Sequence, residues 1–260
     1  IKNSSLSHIK NLAEFIALEY PGIITPLEKI IEVEELEIFY DSYGDTFDGM
    51  TIYEAPNFYL HINTFRGNRV GTTRARFTVA HELGHYFLDN HRTGLMRGLL
   101  QPHLSKNNEE RHLRIEREAD YFASCLLMPE SRVKSFVLRR KFDFQLLRDI
   151  SAHFQVSLTA AAIRFSAIGN HSIMIVFGHK SKIQWKWCSE DFPFQYLLYQ
   201  DKIPETSVMG EYFMDKVPVD STQDVWAIDW FNVQDRDANR KFHEHCMTHG
   251  DYALSVIWEK

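Results

Sequence analysis

Two histidines and a glutamate, in the order His81-Glu82-Leu83-Gly84-His85, are the residues of this 260-residue chain best suited to chemistry. On a helix the imidazoles of His81 and His85 stand one turn apart on a single face, where they can share a divalent cation. Glu82, about 100° round the same helix, does not point at that cation but can reach a water held there and act as a general base. Thr72, Thr73, Arg74, Arg76 and Phe77 lead into Val79 and Ala80 without Gly or Pro, so a helix is expected. Phe77, His81, Gly84, His85 and Leu88 share one side of it. The alternative is two histidines on a solvated face; apolar Phe77 and Leu88 on that face argue against it.

A catalytic zinc site takes three protein ligands and leaves a fourth position for water, so a third donor must come from elsewhere. From Ile115 to Pro129, the residues Ala119, Phe122, Ala123, Leu126 and Leu127 recur at the spacing of a buried helical stripe, which Pro129 ends. Glu116 and Asp120 sit on that stripe. Glu118 falls nearly opposite, which makes Glu116 the expected third ligand. A carboxylate on an apolar face is costly to bury unless it is paired or ligates a metal. In the other reading the helix is rotated so that both acids reach solvent. Asp120, one turn after Glu116, is placed to accept the free ring N–H of a ligating histidine and fix its tautomer.

The E-x-x-x-D pattern after an H-E-x-x-H helix resembles the gluzincin zinc peptidases, where the Glu is the third ligand and the Asp orients the first His. More narrowly, Arg76 to His85, Glu118 to Ala123 and Leu126-Leu127-Met128-Pro129 together resemble the ImmA/IrrE family of metallopeptidases. The likeness runs over roughly residues 8 to 168. It implies a bacterial or phage-type intracellular zinc endopeptidase that cleaves a DNA-binding repressor and so switches on a regulon. Asp120 stands where the family's commoner pattern has Asn, a departure that removes no proposed ligand.

The composition fits a soluble globular chain: 44% hydrophobic and 25% charged residues. A net charge of −6 argues against a general affinity for nucleic acid. Three widely spaced cysteines, Cys125, Cys188 and Cys246, suggest neither a disulfide framework nor a Cys-rich zinc site and fit a reducing compartment. No run approaches a membrane span, and the basic-then-apolar pattern of a secretory signal is missing, so a cytoplasmic protein without membrane partners is expected. With Ile1 in place of Met, some leading residues are expected to be missing.

The elements that must position the site follow from the patterning. The expected class is α+β: a zincin-like catalytic domain at residues 1–130, a helical helix-turn-helix-like segment at 131–168 and a C-terminal α+β domain at 169–260. Ile9 to Ile16 and Leu27 to Val33 read as helices. Leu36 to Tyr43, Gly49 to Tyr53 and Asn57 to Asn63 read as a small, mainly antiparallel sheet ahead of the site helix. An extended substrate is expected to pair with an exposed edge strand, for which the strand carrying Tyr59, His61 and Asn63 is the candidate. His61 as an extra ligand competes with a histidine that merely packs. Asn90 to Glu109 reads as a long polar connection, expected to wall or lid the cleft, and the oxyanion donor is open among His91, His103 and His112.

Helices are expected at Val133 to Arg140, Phe144 to Phe154 and Leu158 to Ile168. The last pair resembles a helix-turn-helix, but Ala, Leu and Ile dominate the would-be recognition helix, so DNA binding is not the expected use. The expected use is packing against the catalytic unit or docking the repressor. Beyond Asn170, strands at Ser172 to Phe177 and Lys182 to Trp187, a helical stretch at Phe194 to Tyr199, and segments at Val225 to Phe231 and Ala253 to Trp258 make up the last domain. Some members of the resembled family carry a GAF-like sensory domain there. His243, His245, Cys246 and His249 read as part of an exposed helix, with a second metal site as the sharper alternative.

The function expected is that of an endopeptidase using one Zn²⁺, or another divalent ion such as Mn²⁺, held by His81, His85 and Glu116, with Glu82 as general base. Its partner is a protein substrate, a helix-turn-helix repressor. The alternative keeps the fold and drops the chemistry: a non-catalytic, metal-containing regulatory protein that binds DNA or a partner protein.

Overall fold

The structure, a computed structural model, describes the backbone of residues 3–100 and 109–260 and the side chains of 5–100 and 114–260. It is an α+β fold in two compact units, residues 1–133 with 150–157 and residues 134–149 with 158–260. The helical segment expected at 131–168 is therefore divided between them.

In the first unit α1 (Asn3–Leu18) and α2 (Leu27–Val33) precede β1 (Glu37–Asp41), β2 (Gly49–Glu54) and β3 (Asn57–Asn63). Then come α3 (Thr73–Phe87), α4 (Asp89–Met96) and α5 (Glu109–Leu127). Ile9, Ala13, Ile16 and Ala17 of α1 are buried at its contact with α5, while Phe15 stays 65% exposed. Arg132 donates to the carbonyls of Ala17 (2.9 Å) and Tyr20 (2.6 Å), satisfying the free end of α1.

The sheet order is β1-β3-β2, with β1 parallel and β2 antiparallel to β3. The expectation of a mainly antiparallel sheet is thus half met, because the chain from β1 to β2 skips a strand position that β3 fills. One sheet face, with Leu60, Ile62 and Phe58, is buried in the same core as Val79, Ala80 and Leu83 of α3. β3 is the central strand, so the nomination of Tyr59, His61 and Asn63 as an exposed substrate-pairing edge is corrected. Both sides of β3 are already hydrogen-bonded, and only β2 and β1 have an outer edge.

The second unit takes in residues 134–149, which hold the second half of α6 (Glu130–Val137) and the first half of α7 (Phe144–Phe154), and then α8 (Leu158–Ile168). Five antiparallel strands follow in the order β5-β4-β8-β7-β6: β4 (Ile173–His179), β5 (Lys182–Cys188), β6 (Asp220–Trp226), β7 (Lys241–His249) and β8 (Tyr252–Glu259). Between them lie α9 (Val208–Asp215) and α10 (Ala227–Trp230). α9 and α10 share one core with Met174, Val176, Phe242 and Ile257 of the sheet. α8 packs on β4 and β5, burying Ala161, Ala162 and Phe165. The supposed recognition helix is thereby spent on this unit's own sheet.

Two expectations here fail. Phe194 to Tyr199 is not a helix: Phe194 stacks on Phe231 at 5.2 Å and Leu197 bridges to Phe231, so tertiary packing after Pro193 overrides local propensity. The stretch with His243, His245, Cys246 and His249 is strand β7, in which Phe242, Glu244 and Cys246 are fully buried on one face and His245 nearly so on the other. A buried glutamate at the centre disguises that alternation as a polar helix. His245 is held by Thr222 (2.8 Å) and Asp220 (3.0 Å), and the structure assembles no metal-ligand cluster there.

Candidate metal centre and cleft

Thr72 starts α3 by accepting from the Ala75 amide at 3.1 Å, and the helix runs unbroken through the histidine pair, as its lack of Gly and Pro before Gly84 predicts. Gly84 then matters for a steric reason. A Cβ there would stand 3.2 Å from the Ala119 Cα and 3.2 Å from the Phe122 ring. Gly84 facing Ala119 therefore sets how closely α3 and α5 approach, and that approach carries Glu116 to the histidines.

The donors converge. His81 Nε2 lies 3.2 Å from Glu116 Oε2, His85 Nε2 lies 3.6 Å from Glu116 Oε1, and the two Nε2 atoms are 3.0 Å apart. Among the described residues this is the one group of three side chains placed to hold a metal ion. His81 Nδ1–H donates to Asp120 Oδ1 at 2.9 Å, which turns Nε2 toward the shared point. Burial opposes a charged His81, but the hydrogen bonds to Asp120 and Glu116 outweigh it and lift its pKa to about 10. One positive charge thus belongs among these donors, and a divalent cation fits the set: two imidazoles and a carboxylate suit zinc, as one proton suits the protein without it.

Glu82 is 4% exposed. Thr51 donates to its Oε2 at 2.7 Å, and a Cβ at Gly49 would fall 2.6 Å from its Oε1, so β2 can lie over this carboxylate only because residue 49 is glycine. Burial pushes its pKa up to about 7, against the counteracting pull of His81 and Thr51. Glu82, the three donors and Asp120 all line a cleft of about 610 Å³, walled by Phe47 to Thr51, Phe77, Leu95, Leu100 and Ile115.

The remaining candidates fall elsewhere. His61 is hydrogen-bonded to Tyr43, with Oη 2.8 Å from Nδ1, and is not part of the group of donors at His81, His85 and Glu116. Tyr59 is not among the residues lining the cleft, and Asn63 is buried and donates to the loop carbonyls of Gly44 and Phe47. His91 is buried rather than in the cleft wall, with Nε2 3.1 Å from Glu118 Oε2 and its ring 5.1 Å from that of His85. It is not placed as an oxyanion donor. His103 lies outside the described residues, as does the side chain of His112. Glu118 does turn away from the metal point, as its place on the helix predicts, but to a buried site, where Arg114 also donates to it at 2.9 Å. Local spacing carries no sign of this pair, because the partner of Glu118 sits on α4, 27 residues away.

The model of the IrrE N-terminal-like domain, Peptidase_M78, matches residues 65–166. No curated protein sequence matches the chain. A solved structure described as a Mycobacterium tuberculosis transcriptional regulator is similar with a TM-score of 0.63, over 97% of this chain and 76% of its own, at 15% identity. Likeness at that identity speaks for the fold alone. The histidine pair, Glu82 and Glu116 all lie inside residues 65–166, the stretch of the chain that matches the IrrE N-terminal-like peptidase domain, Peptidase_M78.

Proposed function

We propose that this chain is a zinc-dependent endopeptidase acting on a protein substrate, a DNA-binding helix-turn-helix repressor, whose cleavage relieves repression. The observation that carries the reading is the convergence of His81, His85 and Glu116 beside a buried Glu82 in an open cleft. A structural metal site has no need of a buried base and usually closes its fourth position. The solved structure of similar fold is described as a transcriptional regulator, and the proposal extends a role in gene control from that protein to this one.

A zinc ion bound by the three donors supplies Lewis acidity for the scissile carbonyl and the attacking water. Glu82 then moves the proton: its carboxylate takes one from the water and delivers it to the leaving amine, and a pKa near 7 suits it to both tasks. Asp120 keeps His81 in the tautomer that presents Nε2. β2 is the strand whose residues Gly49 to Thr51 wall the cleft and whose outer edge pairs with no strand among the described residues, so an extended substrate segment is placed along it. DNA contact through α8 has no part in this reading, since that helix packs on β4 and β5.

The test is to incubate the zinc-loaded protein with a helix-turn-helix repressor encoded beside it. A discrete fragment, abolished by a chelator and by Glu82→Gln, is expected. An intact repressor after prolonged incubation would overturn the substrate assignment.

A further inference from the structure

The three-stranded sheet has a second face that no helix covers among the described residues. Side chains alternate along a strand, so register fixes its content. One row runs Phe39, His61, Met50 and the next Glu37, Tyr59, Ile52. Phe39 is 42% exposed and stacks on His61 at 5.3 Å and against Tyr59 at 6.3 Å. The apolar centre is bounded by carboxylates at three corners: Glu37 and Asp41 on β1 and Glu54 on β2. None of the three has a cationic partner among the described residues. Residues 27–60 hold nine carboxylates and a single cation, Lys29; Glu32 pairs with Lys29, and Asp45 and Asp48 pair with Arg66 and Arg74, but Glu37, Asp41 and Glu54 are in none of these ion pairs.

That charge selects the occupant. A second copy of the chain docking by two-fold symmetry would bring carboxylates against carboxylates, and nucleic acid or anionic lipid would be repelled in the same way. A polypeptide segment with an apolar side and flanking Lys or Arg satisfies both parts of the surface. Met50 stands on this face and also lines the metal cleft, so the two surfaces are continuous through β2. We infer that the outer face of the β1-β3-β2 sheet docks a basic, amphipathic segment of the protein partner whose chain enters the cleft. That the partner is a substrate rests on the peptidase reading; the docking does not.

The experiment uses full-length Glu82→Gln protein, which is not expected to consume a peptide. The probe is a fluorescein-labelled peptide of Leu and Lys patterned as an amphipathic helix, with two controls: a permuted peptide of the same composition, and the same pattern with Glu for Lys. By fluorescence anisotropy the patterned basic peptide binds at least tenfold tighter than either control, with no change on adding a chelator. Phe39→Ser weakens it at least tenfold, and so does the combined Glu37→Lys, Asp41→Lys, Glu54→Lys change, whose sites are exposed.

Equal binding of the permuted peptide, or full affinity in both variants, overturns the inference. If a variant fails to fold, amide exchange in the parent protein decides: peptide-induced protection of residues 37–41 and 57–61 supports the docking face, and protection confined to α3 and α5 overturns it. A dimer that Phe39→Ser dissociates would assign the face to a second copy instead. Peptide binding without any proteolysis contradicts the peptidase reading alone, and proteolysis without peptide binding contradicts the docking alone.

Discussion

Glu82 of the first unit and Glu244 of the second are both fully enclosed carboxylates, 4% and 0% exposed, and burial raises the pKa of each. Their partners separate them. Glu244 accepts from the amides of Val208 and Met209, both at 3.0 Å, from Trp230 Nε1 at 2.7 Å and from Ser255 Oγ at 2.5 Å. These donors include the first two amides of α9, so the charge also meets a helix N-terminus. Glu82 has the Thr51 hydroxyl and otherwise faces a cleft. A carboxylate saturated with donors is a strut. One left short of them, beside a cation site, holds a proton loosely enough to pass it on.

The same Glu→Gln exchange at the two positions should therefore separate activity from stability. Glu82→Gln is expected to lower proteolysis by about 10²–10⁴-fold, the worth of a general base, while zinc content stays that of the parent. Unchanged turnover would remove Glu82 from the mechanism. At position 244 the expected loss is of stability, about 1–3 kcal/mol, because an amide has one acceptor oxygen where the four donors need two. Denaturant unfolding measures it, and a Glu244→Gln protein as stable as its parent would show that the strut is not needed.

A third consequence concerns pH in the metal-free protein. The pKa of His81 rises from 6.5 to about 10, so the stability its proton contributes is complete below pH 6.5 and is lost as pH climbs toward 10. Glu82, raised from 4.5 to about 7, favours its protonated form in the fold and adds a loss of the same sign between those values. The melting temperature in chelator is expected to fall from pH 5 to 10, and to fall less with zinc, where the cation takes the proton's place. A flat profile in chelator would contradict the assigned charges. The smallest effect is that of Thr51→Val. Removing a hydrogen bond worth about 1 kcal/mol that holds the Glu82 pKa down should move the acid limb of the pH–rate profile upward by less than about one unit.

How far the sequence carried differs between the same two regions. The site helix, the stripe that places Glu116 and the reach of Asp120 to His81 were all readable, because a helix converts spacing into direction without outside help. The contacts that decide sheet order were not. Nothing local in Asn57 to Asn63 tells that β1 lies parallel to it, and so its sequence reads as an edge strand although it is the central one. The Glu244 strut was invisible for a related reason: its donors come from α9, α10 and β8, and without them a glutamate in Lys241 to His249 reads as a mark of exposure. Gly49 and Gly84 carried no signal by themselves, since each is required only by what packs over it.

The central claim is that two helices lend three donors to one ion. After dialysis against zinc and removal of the excess, elemental analysis is expected to find one zinc per chain in the parent and essentially none in His81→Ala, His85→Ala or Glu116→Ala. Parent protein without zinc, or variants that retain it in full, would contradict the account.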